Sequence, residues 1–281
     1  MNTINSTNTT NLKSSNHRLL IKIGGRAFEK EAGFRELAHA IKAVPNIETV
    51  IVHGGGAEIS KSLQAHDRET LFIDGIRVTQ PEDMVIIEKV LSETINQRIA
   101  SWLTDNGVPC ERMSGKTEQL FVVEPMTRDG RQYGFVGDIK QVNGEVVLRA
   151  LKNGFVPVIS PISADENHRS FNVNADSAAA ALAAAIDCIG LVFITDVPGV
   201  MDRDGVCQTL SQKEARERIA DGTIKGGMVA KMTSAFEALA NQVPAVFITQ
   251  WKGTPTLQGI VAGECRSGTV LRSQDPEYRI S

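Results

Sequence analysis

The chain alternates short apolar runs with stretches in which apolar residues recur every three or four positions. Arg18-Leu19-Leu20-Ile21-Lys22-Ile23 is the first run, and Gly24-Gly25 closes it. Its length and its glycine stop predict a buried strand followed by a tight loop. Phe34, Leu37, Ala38, Ile41 and Val44 then follow helical spacing. Thr49-Val50-Ile51-Val52 repeats the strand, Gly54-Gly55-Gly56 repeats the stop, and Ile59 and Leu63 mark the next helix. Met84, Ile87, Val90, Leu91, Ile95, Ile99 and Leu103 predict one long helix over 82–104. Strand, loop and helix repeated in this way imply a mainly parallel sheet covered on both faces.

The middle of the chain changes period. Leu120-Phe121-Val122-Val123 and Tyr133-Gly134-Phe135-Val136 flank Arg128-Asp129-Gly130. Asp-Gly between such runs predicts a hairpin, and with it a small antiparallel excursion from the main sheet. Buried strands return at 155–159, 191–196 and 245–248, with an alanine-rich helix over 175–187 and helices over 211–220 and 228–241. Residues 1–17, rich in Asn, Thr and Ser, show no period and predict a disordered tail. No linker divides the remainder, so 18–187 and 188–281 are expected to be two lobes of one compact unit.

Composition narrows the function. The chain has 281 residues, of which 42% are hydrophobic, enough for one large core. The net charge of -3 comes from interleaved acids and bases without a basic stripe, which argues against a nucleic-acid partner. An anionic substrate then needs a local positive site. Cys110, Cys188, Cys207 and Cys265 are far apart, a pattern that fits free thiols and neither a zinc site nor a disulfide framework. No apolar run is long enough for a membrane span, and no signal-peptide core is evident, so a cytoplasmic location is expected.

Five segments carry candidate chemistry. Lys22 stands beside Gly24-Gly25 at a strand end, where backbone N–H groups can approach an anion without a Cβ in the way. His53-Gly54-Gly55-Gly56 enters a helix, whose N-terminus favours negative charge. His53 itself suits a packed, hydrogen-bonded role better than a catalytic one. Neither loop has the Walker or the dinucleotide spacing, which disfavours a nicotinamide-dependent oxidoreductase. Arg77, in Asp74-Gly75-Ile76-Arg77-Val78-Thr79, is either a surface residue or a fork for a carboxylate. Asn172-Val173-Asn174-Ala175-Asp176 is either a helix cap or a pair of polar ligands on one side of an extended segment. Gly226-Gly227-Met228-Val229-Ala230-Lys231 sets a lysine near a helix start, which the helix dipole opposes unless an anion is bound.

The order of these five segments resembles the amino-acid kinase family, and within it the branch that phosphorylates the side-chain carboxylate of N-acetyl-L-glutamate in arginine biosynthesis. The resemblance covers about residues 18–272. It implies an α/β three-layer sandwich around a mainly parallel sheet, with an acceptor-binding N-terminal lobe and an ATP-binding C-terminal lobe. It also implies ATP and Mg²⁺, the metal being held by the phosphates. Lys22 and Lys231 match the lysines flanking the transferring phosphoryl group, and Asp176 the aspartate that positions them. Gly55, Gly56, Arg77, Asn172 and Asn174 match acceptor-binding positions. Gly24, Gly25, Gly54, Thr195, Asp196, Gly226, Gly227 and Met228 match the nucleotide side. The chain departs from the family pattern at its N-terminus, which lacks the apolar helix of arginine-inhibited hexamers, and at Ile248-Thr249-Gln250-Trp251. A homodimer without arginine feedback is the expectation. The loop 114–118 also diverges, so N-succinylglutamate or a protected aminoadipate stand as alternative acceptors. A catalytically silent metabolite-binding subunit is the remaining alternative, though it has no need of Lys22, Asp176 and Lys231 together.

Overall fold

A computed structural model describes residues 17–24, 28–73, 75–203, 205–263 and 267–272. The chain opens with β1 (His17–Ile23), α1 (Glu31–Lys42), β2 (Ile47–His53), α2 (Gly56–Gln64), β3 (Phe72–Ile73) and β4 (Ile76–Arg77). Then come α3 (Pro81–Glu88), a π-helical segment (Lys89–Ile95), α4 (Asn96–Asp105), β5 (Cys110–Ser114), β6 (Phe121–Arg128) and β7 (Arg131–Val142). Next are α5 (Glu145–Lys152), β8 (Val156–Ser160), β9 (Ile162–Ala164), β10 (Ser170–Asn172), α6 (Ala175–Ala185) and β11 (Gly190–Thr195). The chain continues through β12 (Met201–Asp202), β13 (Gly205–Val206), α7 (Gln212–Ala220), α8 (Gly227–Ala240), β14 (Ala245–Gln250), α9 (Thr254–Val261) and β15 (Gly268–Arg272).

Seven strands form the central sheet in the order β15-β14-β11-β1-β2-β8-β5, parallel throughout except for the β14–β15 pair. The strand period of two divides the core. Leu19, Ile21 and Ile23 of β1 face a layer built from α1, α2, α3, α4 and α9. Leu20 faces the opposite layer, built from α5, α6, α7 and α8. Lys22 has the parity of Leu20, so the strand aims it at the α6 side. The β1–α1–β2 unit runs one way from β1, while β11 lies on the other flank of β1. That divergence opens a crevice at the carboxyl ends of β1, β2 and β11, where ligands bind in open α/β sheets.

Several expectations change. Residues 1–16 of the tail lie outside the described residues, and His17 already belongs to β1. The long helix is interrupted by the π-helical segment. Leu91, Ile95, Ile99 and Leu103 are spaced by four throughout, which drifts from 3.6 and suits a wider turn. The hairpin is real: Asp129 and Gly130 both have positive φ, 51° and 74°, as a two-residue type I′ turn needs. It belongs, however, to a closed four-strand unit in the order β10-β7-β6-β9. Gly134 is obligatory there, since a Cβ would meet the Thr79 carbonyl oxygen at 2.2 Å.

Candidate active site

The crevice is a cavity of about 860 Å³. Lys22, Gly24, Gly54, Gly55, Gly56, Arg77, Asn172, Asn174, Asp176 and Asp196 all line it. On its wall Asp176, in the first turn of α6, meets both lysines. Lys22 Nζ lies 2.7 Å from Oδ1, and Lys231 Nζ donates to Oδ2 at 2.6 Å. Lys231 comes from α8, which packs against α6, and its ammonium also lies 5.8 Å from the Phe193 ring. All three groups are largely withdrawn from water. Burial alone would raise the Asp176 pKa, but Lys22 and Lys231 outweigh it and hold the carboxylate at about 2. Burial lowers the Lys231 pKa and the neighbouring Lys22 lowers it further, while Asp176 opposes both.

The glycine loop beside this cluster is shaped by close approach. A Cβ on Gly55 would stand 2.4 Å from Ile95 Cδ1 and 2.8 Å from Leu91 Cδ2. The π-helical segment therefore packs directly onto the loop, and Gly55 then serves as N-cap of α2. His53, the last residue of β2, is buried below the loop. Its Nδ1 lies 3.0 Å from the Gly54 carbonyl oxygen, and Asn96 Nδ2 lies 3.2 Å from its Nε2. Burial holds its pKa down at about 4, so the ring is neutral near pH 7.

A second cation sits further along the cavity. Ile76 is anchored with Met126, Tyr133 and Val136, which fixes β4 and turns Arg77 to the other side. Arg77 donates from Nη1 to Thr70 Oγ1 at 3.1 Å, and from Nη2 to the Gly56 carbonyl and Ser60 Oγ, each at 3.0 Å. Its guanidinium covers the Phe72 ring at 4.7 Å. Among the described residues no carboxylate is ion-paired with it. Burial lowers its pKa from the usual guanidinium value, with Asp83 opposing. Asn172, across the cavity, donates to Thr79 Oγ1 at 3.3 Å.

The family model for the amino acid kinase family matches residues 17–250. The chain belongs to the amino acid kinase family. It is 38% identical to acetylglutamate kinase of Geobacillus stearothermophilus, an alignment covering 84% of this chain and 91% of that enzyme. It is 40% identical to acetylglutamate kinase of Aliarcobacter butzleri, over 80% of this chain and 76% of that one. Among solved structures it resembles smu.665 of Streptococcus mutans UA159, with a TM-score of 0.74 and 27% identity over 92% of this chain and 99% of that one.

Most family positions predicted from sequence converge on the cavity, with informative exceptions. Gly25 and Asp74 lie outside the described residues. Thr195, Gly226, Gly227, Met228 and Lys231 do not line the cavity; Lys231 is joined to it through Asp176, Thr195 Oγ1 accepts the Val197 N–H, and the other three begin α8 one turn before Lys231. The anion inferred beside Lys231 is provided by the protein itself, as Asp176. Asn174 is a cap: its Oδ1 accepts the N–H groups of Asp176 and Ser177 at 2.8 and 3.2 Å. Arg77 is buried, which removes the surface reading. Sequence reasoning missed Ser60, Thr70, Phe72 and Asn96. Only the four-residue spacing through Leu91 and Ile95 hinted at the segment that shapes the Gly55 loop.

Proposed function

We propose that the protein transfers the γ-phosphoryl group of ATP to the side-chain carboxylate of N-acetyl-L-glutamate, a step of arginine biosynthesis. The observation that carries the phosphoryl transfer is the Lys22–Asp176–Lys231 cluster, whose Lys22 and Asp176 line the same cavity as the glycines. Two ammonium groups share one carboxylate, leaving an excess positive charge where a phosphoryl group would pass. The acceptor carboxylate is ionised at neutral pH, so no general base is needed. The difficulty lies in bringing an anion to an anionic phosphate. Lys22 and Lys231 counter the charge that develops, and Asp176 fixes their positions in advance. The N–H groups of the Gly54–Gly56 loop and the N-terminus of α2 add partial positive charge. Arg77 suits the α-carboxylate of the acceptor and Asn172 its amide, with Gly55, Gly56 and Asn174 completing the wall. Gly24, Gly54, Thr195, Asp196 and the start of α8 form the nucleotide side, so the 18–187 half carries the acceptor and the 188–281 half most of the ATP site.

Among the described residues no group of three or more His, Cys, Asp or Glu is placed to hold a metal, and both Asp176 oxygens face lysines. These residues leave room for a magnesium ion carried on the ATP phosphates, which would spread the phosphates' charge when bound. We further assign the protein to the cytoplasm, as a homodimer. Among the described residues no helix is long and apolar enough to cross a membrane.

The test is direct. The protein is incubated with ATP, Mg²⁺ and acetylglutamate, succinylglutamate, acetylaminoadipate or glutamate, and any acyl phosphate is trapped as the hydroxamate. Hydroxamate with acetylglutamate far above the others is the expected result. Equal signal with another acceptor reassigns the substrate, and no signal with any acceptor removes the proposal.

A further inference from the structure

The mechanism above uses the backbone of the Gly54–Gly55 loop but not the buried side chains beneath it. His53 and Asn96 are both about 1% exposed. Asn96 begins α4, immediately after the π-helical segment. Its Nδ2 reaches the carbonyl oxygens of Val158 on β8 at 2.8 Å and Met113 on β5 at 3.2 Å, besides His53 Nε2. Its Oδ1 accepts from Arg112 Nε at 3.2 Å. Arg112 also donates to the Ser92 carbonyl within the π-helical segment at 2.9 Å. The network thus ties strands β2, β5 and β8 to the segment whose Leu91 and Ile95 press on Gly55.

The Gly54 carbonyl oxygen can only accept, so the proton of the neutral ring sits on Nδ1; bare Nε2 then faces the Asn96 amide, whose two hydrogens are shared among three acceptors. The ring proton points at the Gly54 carbonyl oxygen. The peptide is trans, as are all those described, so the Gly55 N–H lies on the opposite side of the peptide plane's axis from that oxygen. We propose that His53 is a positioning residue: held by Asn96 in the Nδ1–H tautomer, it fixes the Gly54 carbonyl and thereby aims the Gly55 N–H at the phosphoryl group in the cavity. This rests on the phosphotransferase reading above. An unpinned peptide could flip, presenting a carbonyl oxygen to the phosphoryl group in place of a donor. A charged ring would serve the same bond but would need to ionise in a buried site, and a ring protonated on Nε2 would face Asn96 donor to donor.

Two substitutions separate the two ring bonds. His53→Asn sets an amide donor where Nδ1 stands and gives up the partner of Asn96. His53→Gln reaches toward Asn96 and gives up the donor to Gly54. His53→Gln is expected to lower kcat about 10²-fold with KM for ATP and acceptor changed less than about threefold, while His53→Asn stays within about tenfold of wild-type kcat. Equal loss in both variants, or kcat falling in step with Tm, overturns the proposal. Nitrogen NMR of the wild-type full chain, labelled at its histidines and read near neutral pH, gives a second answer if either variant fails to fold. A proton on Nδ1 of His53 with bare Nε2 supports the proposal; a proton on Nε2 overturns it. If wild type itself yields no acyl phosphate, the reaction assignment fails, and the NMR result still judges the tautomer on its own.

Discussion

Two cationic sites share the cavity, and they are built on opposite plans. At the Lys22–Asp176–Lys231 cluster the positive charges are met by an internal carboxylate. At Arg77, among the described residues, the guanidinium is held by hydroxyl and carbonyl oxygens and an aromatic face. An internal counter-ion fixes geometry at the price of some charge, which suits groups that must act on a transition state. Neutral partners fix geometry while leaving the charge undiminished, which suits a group that must capture an anion in the ground state. The first plan should therefore show itself in turnover and the second in affinity.

The sharpest way to break that contrast is to remove a lysine. Lys22→Ala or Lys231→Ala should lower kcat by about 10³-fold or more, with KM for either substrate changing by less than about tenfold. Steady-state kinetics on both purified variants decide the matter. A variant that loses affinity and keeps turnover would place its lysine with Arg77, on the capturing side.

Removing the internal counter-ion is the next largest change. Asp176→Asn keeps the shape but leaves two ammonium groups facing a neutral amide, and should destabilise the fold by about 3 kcal/mol. The pH dependence carries the same information. The folded Asp176 pKa is about 2, below the ordinary carboxylate value of 3.8. A depressed folded pKa means the unfolded chain takes up the proton first, so the contribution is complete above about pH 4 and is lost as pH falls toward 2. Chemical denaturation across that range should show wild type losing about 2–3 kcal/mol more than Asp176→Asn.

Arg77→Lys tests the capturing site. A lysine keeps the charge but cannot reach Thr70, Ser60 and Gly56 while offering two parallel donors to a carboxylate. The acceptor KM should rise about 10–100-fold, with kcat within about threefold and KM for ATP unchanged. A drop in kcat alone would move Arg77 into the transition-state machinery.

How much of this was legible beforehand depends on the range of the interaction. Strand β1 and helix α6 follow from local periodicity, and the parity of Lys22 with Leu20 follows from the pleat. The pairing of Lys22 with Lys231 does not, because it is set by the packing of α8 on α6 across more than two hundred positions of chain. The family resemblance brought them together; the residues alone did not. Cys110–Ser114, Glu145–Lys152, Thr254–Val261 and Gly268–Arg272 went unread as elements. Cys110–Ser114 is interrupted by Glu111 and Arg112, and Glu145–Lys152, though mostly apolar, is barely two turns long, too short for its period to stand out. The His53–Asn96 contact was equally invisible, since it joins the end of a strand to the first residue of α4, 43 positions further along the chain. At Asn174 the cap reading and the ligand reading were both open, and they are not exclusive: the cap uses the side-chain oxygen, while the residue still lines the cavity.

That double position makes Asn174 the finest test of the contrast, with the smallest expected effect. Asn174→Ala removes the acceptor for the Asp176 and Ser177 N–H groups and should cost about 1 kcal/mol of stability, a Tm drop of about 2–4 °C. Asn174→Asp is an equally good cap and favours the helix dipole, so stability should hold. It also sets a second carboxylate beside Asp176, next to the path of two anionic substrates, and the KM for the acceptor should rise severalfold. Thermal unfolding and acceptor titration of both variants separate the roles. A Tm loss confined to Asn174→Ala together with a KM rise confined to Asn174→Asp means that the residue caps α6 and faces the acceptor at once. If both variants lose only Tm, Asn174 is structural, and the acceptor is held from Arg77 and Asn172 without it.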